Sequence, residues 1–207
     1  MGSTQILHDL QRLKSLADIG LLYSKDEYDK ERYLELQQIG WSLLSQFSNT
    51  SFEEVKAILP PAKDYPTAKV DIRGLMISEN KKVLLVKESM DGKWSLPGGW
   101  GDIGYSPKET IVKEFKEETG LDVIPERLLA VFDKKMHAHP PQAFYVYKMV
   151  FLCKPKTIDI SKGFDVLDVQ YFPMDSLPEL SQDRILESQI KLLATKVFEN
   201  DHEVYVD

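Results

Sequence analysis

An α/β domain preceded by a small all-helical segment is what this sequence predicts, and three observations carry the prediction. The first 59 residues repeat apolar positions at three- and four-residue spacing, the period of helices. The stretch Leu59-Pro-Pro-Ala-Lys-Asp-Tyr-Pro66 then puts three prolines into seven residues, which suits neither a helix interior nor a central strand. From Ala68 onward, β-branched and aromatic runs alternate with two further helical patterns, as in a mixed sheet covered by a helix on each side. The expected division is a helical domain over 1–59, a proline-rich linker over 60–67 and an α/β/α sandwich over 68–207.

Residues 4–23 read as a helix with Ile6, Leu7, Leu10, Leu13, Ala17 and Leu21 on one face. A second helix runs from Lys25 or Asp26 to Phe47, its apolar positions being Tyr28, Tyr33, Leu36, Trp41, Leu44 and Phe47. A third begins at Ser51, which forms a capping box with Glu54. Three short helices bury too little apolar surface to stand alone, so they must pack on the main domain or on a second subunit.

Past the prolines, Lys69–Ser78 reads as a strand, Glu79–Lys82 as a polar turn, and Val83–Glu88 as the returning strand of a hairpin. Trp94–Leu96 is a short strand leading into a glycine-rich loop. Strands are expected at Pro125–Phe132, Phe144–Cys153 and Asp168–Phe172, with a polar loop at Asp133–Gln142 and a last helix over 182–200.

The chain carries a formal net charge of -7, with 43% hydrophobic and 29% charged residues. That balance argues against broad nucleic-acid binding. No apolar run reaches membrane-spanning length, so no membrane association is expected. One cysteine, Cys153, lies in an apolar run and reads as a small buried hydrophobe. A chain that can form no internal disulfide suits the cytoplasm.

Chemistry concentrates between Trp94 and Leu121. Ser106, Pro107 and Glu109 make a complete helix start, and Gly120 a helix stop, so a helix is expected over 107–119. Glu114, Glu117 and Glu118 crowd one side of it, where like charges repel. Glu117 and Glu118 also fall in the last turn, which disfavours anions. Lys113 relieves part of this by pairing with Glu117. A solvated, Glu-rich face is the ordinary reading of such a cluster. A set of hard oxygen ligands for Mg²⁺ or Mn²⁺ is the functional one.

The same stretch resembles the signature of Nudix hydrolases. Gly99 opens the motif, Glu114, Glu117, Glu118, Gly120 and Leu121 match it, and Phe115 fills its apolar position. Tyr105 stands where that family usually has a Glu, and Lys113 where it has Arg, which orients a metal-binding Glu. Lysine does this only as a flexible point charge. The resemblance covers about residues 68–200 and implies the Nudix α/β/α fold and pyrophosphate hydrolysis. It implies two or more Mg²⁺ or Mn²⁺ ions held by Glu114, Glu117, Glu118 and the carbonyl of Gly98. Glu118 is the nearer general base, Asp165 and Asp168 are the remote ones, and Lys113 belongs to the catalytic set. Relatives with a helical extension are commonly homodimeric, so a homodimer is expected.

The substrate expected is a small nucleoside diphosphate conjugate. Trp100, Tyr105 and Phe144 supply aromatic faces that bind a quaternary ammonium or stack a base. Arg73, His137 and His139 complete the candidate contacts. The run Gly98-Gly-Trp-Gly-Asp-Ile-Gly-Tyr-Ser-Pro107, with the helical extension, resembles the CDP-choline pyrophosphatase branch. ADP-ribose is the runner-up substrate, and a non-catalytic nucleotide sensor is the alternative of another class. Core packing is the ordinary explanation of the aromatics.

Overall fold

In a computed structural model, residues 3–48 and 50–207 are described, without the side chains of residues 3 and 4. The chain divides into two compact units, Met1–Ala68 with Pro140–Tyr145, and Lys69–His139 with Val146–Asp207.

The first unit holds α1 (Ser3–Tyr23), α2 (Glu27–Phe47) and α3 (Phe52–Ile58). Asp26 caps α2 through the N–H groups of Tyr28 and Asp29, and the Ser51–Glu54 capping box starts α3. Leu7, Leu10, Trp41, Leu44 and Val55 are buried together with Ala143. That alanine arrives on the excursion 140–145, and Gln11 Nε2 donates to the Gln142 carbonyl at 2.6 Å. The expected strand start at Phe144 is therefore corrected: Phe144 and Tyr145 belong to this excursion, and the strand begins at Val146. The α2 face also differs, because Tyr28 and Phe47 stay exposed while Gln37 and Gly40 are buried. Lys14, Asp18 and Gln37 form a buried network, Lys14 Nζ reaching Asp18 at 2.6 Å. Gly40 packs next to Lys14, where a Cβ would meet Lys14 Cβ at 3.5 Å, an ordinary contact.

The second unit contains β1 (Lys69–Leu75), β2 (Lys82–Glu88), β3 (Trp94–Ser95), β4 (Gly98–Trp100) and α4 (Pro107–Thr119). After them come β5 (Val123–Asp133), β6 (Val146–Pro155), β7 (Val166–Pro173), α5 (Glu187–Phe198) and β8 (Tyr205–Val206). A mixed five-stranded sheet has the order β4-β1-β6-β5-β8, and a three-stranded sheet the order β3-β2-β7. Ile111 and Phe115 of α4 pack on Ile72, Met76, Leu84 and Val86. Ile190 and Leu193 of α5 pack with Leu75, Leu85, Phe132 and Val150. Helices thus cover both sides of the β-structure. The final helix is shorter than expected, and Ile185 is buried in the loop before it.

The expected β1–β2 hairpin is replaced by a divergence. The turn itself forms, with an antiparallel bridge between Ile77 and Val83. Beyond it, β1 joins β4 and β6 while β2 joins β3 and β7. The physical reason is the glycine-rich segment, which is partly a strand and takes the edge of β1 with Gly98 opposite Arg73.

Where α4 crosses β1, Gly74 is needed for contact. A Cβ there would lie 2.3 Å from the Phe115 ring and 3.0 Å from Cys153 Sγ. Gly74→Ala should overpack this junction and destabilise folding by about 1–3 kcal/mol, read from urea unfolding. A change under about 0.5 kcal/mol would show that the junction yields freely.

Candidate active site

The acid-bearing helix starts and stops where local chemistry dictates. Ser106 and Glu109 form the reciprocal capping box, Pro107 occupies the first turn, and Gly120 ends the helix at φ 72°. The apolar Ile111 and Phe115 face the sheet, which turns Glu114 and Glu118 toward the segment Pro97–Gly99.

Gly98 has φ 140°, and a Cβ on it would fall 2.1 Å from the Ile72 carbonyl. Only glycine brings the backbone this close to β1. Its N–H donates to Glu118 Oε2 at 2.9 Å. A Cβ on Gly99 would lie 2.6 Å from Glu114 Oε1, so that carboxylate rests against the turn. Glu118 is buried, Glu114 half-buried and Glu117 exposed.

Burial pushes the Glu118 carboxyl up to about 8, against the opposing pull of Arg73 and the Gly98 N–H. Burial also raises Glu114, with Arg73 again opposing and Glu117 and Asp165 adding to the rise. Among the described residues no three Asp, Glu, His or Cys side chains stand together as a finished metal-ligand cluster. The donor set still fits a hard divalent cation. Its atoms are carboxylate oxygens, two of them belong to carboxyls that burial disfavours as anions, and a nearby cation favours their ionised forms.

Arg73 lies under the turn rather than at the surface. Its Nε is 2.9 Å from Asp71 Oδ1, and its Nη1 donates to the Leu96 carbonyl at 3.0 Å and faces Glu88 at 3.5 Å. Asp71 also binds Lys148, and Glu88 also binds Ser95 and Arg184. These counter-ions leave only a faint trace in the sequence. Their signal was Asp71 and Arg73 alternating with apolar residues, which puts two charges on one inward face of a strand. Lys113, at the motif's usual arginine position, reaches outward to Asp102 at 3.0 Å and Glu117 at 3.9 Å.

The other candidates scatter. Trp100 and Tyr105 are about half exposed, with Lys69 over the first ring at 5.5 Å and Lys113 over the second at 5.5 Å. Phe144 lies in the first unit, and its carbonyl accepts from Gln11. His137 Nε2 is 2.9 Å from Asp207, and His139 Nδ1 is 2.6 Å from the Gln182 carbonyl. Burial pushes His139 down to about 4, so it stays neutral near pH 7. Asp168 accepts from the Val169 N–H and the Gln170 side chain.

A buried and a half-buried acid at a glycine turn on a two-sheet α/β scaffold suit the class of cation-dependent hydrolases of phosphate anhydrides. The NUDIX domain profile matches residues 68–194, and the profile described as a UDP-X-like, N-terminal oligomerisation domain matches residues 4–59. The chain belongs to the Nudix hydrolase family. It is similar to the putative ADP-ribose pyrophosphatase YjhB of Bacillus subtilis (strain 168), at 42% identity over 92% of this chain and 91% of that one. Among solved structures it is similar to a UDP-X diphosphatase, at 38% identity and TM-score 0.64, with all of both chains covered. An ADP-ribose pyrophosphatase from Streptococcus suis 89-1591 shares 35% identity and TM-score 0.61, over 68% of this chain and 100% of that one.

The raised Glu118 carboxyl has a signed consequence. The folded state holds this proton more tightly than the unfolded state. The stabilising contribution is therefore full below pH 4.5 and is lost as pH rises through about 8. Each pKa unit is about 1.4 kcal/mol, and each kcal/mol moves Tm by about 2–4 °C at this chain length. In metal-free protein, Glu118→Gln should gain Tm relative to wild type by several degrees more at pH 9 than at pH 5. Parallel melting profiles would remove Glu118 as the buried, proton-holding acid.

Proposed function

We propose that this Nudix hydrolase splits the pyrophosphate bond of a nucleoside diphosphate conjugate, with CDP-choline as its substrate and CMP and phosphocholine as products. The observation that carries the hydrolytic reading is the pair Glu114 and Glu118 brought against Gly98–Gly99. Glu114, Glu117, Glu118 and the Gly98 carbonyl are the groups that would hold Mg²⁺ or Mn²⁺, as two or more ions. When bound, such ions neutralise the anionic oxygens that shield phosphorus. Glu118 takes the proton from the attacking water, whose oxygen bonds to phosphorus while the bridging P–O bond breaks. The Gly98 N–H fixes the carboxylate, and Arg73 secures the turn through the Leu96 carbonyl. Asp165 is the remote alternative base. Lys113 steadies Glu117 and the Asp102 loop from outside.

Support for choline comes from Trp100 and Tyr105. Each ring already holds an ammonium over its face, from Lys69 and Lys113. A quaternary ammonium is a ligand of the same chemistry, less hydrated than lysine. His137 and His139 remain secondary substrate contacts in this proposal, whereas Arg73 is engaged beneath the turn and Phe144 belongs to the first unit, so neither is kept as one. The UDP-X diphosphatase likeness supports a pyrimidine nucleotide. A second reading, ADP-ribose split into AMP and ribose 5-phosphate, is supported by the names of the B. subtilis and S. suis relatives. A homodimer through the helical segment is supported by the oligomerisation profile over residues 4–59, and a cytoplasmic location by the lone buried cysteine. No described helix is long and apolar enough to cross a membrane.

A product-resolved, Mg²⁺-dependent panel of CDP-choline, CDP-ethanolamine, ADP-ribose, NADH and a nucleoside triphosphate tests the reading. CDP-choline should be preferred, and Trp100→Ala should reduce its kcat/KM about tenfold while sparing ADP-ribose, in keeping with about 1–2 kcal/mol for a cation–π contact. Preference for ADP-ribose would replace the first reading by the second, and equal loss on both substrates would remove the aromatic contact with choline.

A further inference from the structure

Apart from Asp165, the connection between β6 and β7, residues 156–165, has no task in the reaction so far. Its backbone is stitched to the end of α4. The Ser161 N–H donates to the Thr119 carbonyl at 3.0 Å, and the Gly163 N–H to the Glu118 carbonyl at 3.0 Å. At the base of the connection, Lys156 N–H donates to the Asp122 carbonyl at 2.7 Å, and Thr157 Oγ1 accepts from the Asp122 N–H at 3.0 Å. Two carbonyls that a helix end leaves without intrahelical partners thus receive donors from this one segment.

The fit at residue 163 admits no side chain. A Cβ there would fall 1.8 Å from the Glu117 carbonyl oxygen, far inside contact distance, and 3.3 Å from Asp165 Oδ1. The packing of Gly163 on the last turn and the placement of the Asp165 carboxylate are therefore one local feature. Gly120 has the matching constraint on the helix side, since a Cβ on it would fall 2.1 Å from Ser161 Oγ. The carbonyl end of a helix is a poor place for the anions Glu117 and Glu118, and amides donating to those carbonyls offset part of that field.

We propose that the β6–β7 connection is a positioning element for the cation site, in which Gly163 fixes the acid-bearing last turn of α4 and seats the Asp165 carboxylate beside that turn. This rests on reading Glu114, Glu117 and Glu118 as the cation-holding acids. Asp165 stands beside the turn that carries Glu117 and Glu118, and Gly163 acts only through the residues it places.

Mn²⁺ titrated into the metal-free full chain, with free Mn²⁺ counted by electron paramagnetic resonance, reads this without turnover. Gly163→Ala and Asp165→Asn should each weaken Mn²⁺ binding about tenfold, the lower end for supporting residues of metal sites. The double variant should match Gly163→Ala, because the glycine's effect includes seating the aspartate. Far-UV circular dichroism should be unchanged. Wild-type Mn²⁺ affinity in folded Gly163→Ala, or losses that multiply in the double variant, would overturn the proposal. Asp165→Asn decides alone if Gly163→Ala fails to fold, since Asp165 is exposed and its backbone is untouched. Loss of binding in Glu118→Gln with full binding in Asp165→Asn would sink the positioning role and leave the acid assignment standing. Full binding in Glu118→Gln would sink the acid assignment itself.

Discussion

Glu118 is a carboxylate under a glycine turn, and much of the second unit is arranged around keeping it there. Its position requires α4 to press on β1, which Gly74 permits, and requires the Gly98 backbone to close on β1, which only a glycine at φ 140° permits. Moving either glycine contact would move the acid. The Gly98 N–H holds the carboxylate in place without neutralising it, so the site retains an appetite for positive charge.

Arg73 supplies part of that charge from below. It is buried and is itself balanced by Asp71 and Glu88, which lean on Lys148 and Arg184. Ion pairs so deeply buried are poor devices for stability alone, because desolvation offsets their attraction. Here they join β1, β2 and β6 to the loop before α5 and fix the floor of the turn. The outward Lys113, paired with Asp102 and Glu117, takes no part in this floor. The exposed charges follow a different rule, since Lys113 and Asp102 gain little from pairing in water.

The legible parts of the fold were those whose causes are local. The limits of α4 follow from Ser106, Pro107, Glu109 and Gly120, and the structure returns Pro107–Thr119. The three N-terminal helices were equally plain, because caps and period are read within a few residues. Illegible were features set by distant partners. Nothing near Val83 announces that β2 leaves β1 for β7. Nothing in the polar loop shows that Ala143 joins the core of the helical unit. Strand β8 has two residues and no period to detect. Of the site, the carboxylates and glycines were visible as a motif, whereas Gly163 owes its meaning to a carbonyl 46 positions away in chain order, at Glu117.

The most direct measurement is a ¹³C carboxyl titration of Glu118 by NMR in metal-free protein, repeated with Mg²⁺. A midpoint near 8 that falls by more than about one unit with Mg²⁺ is expected for a buried acid built to meet a cation. A midpoint near 4.5 that Mg²⁺ leaves unmoved would contradict that assignment.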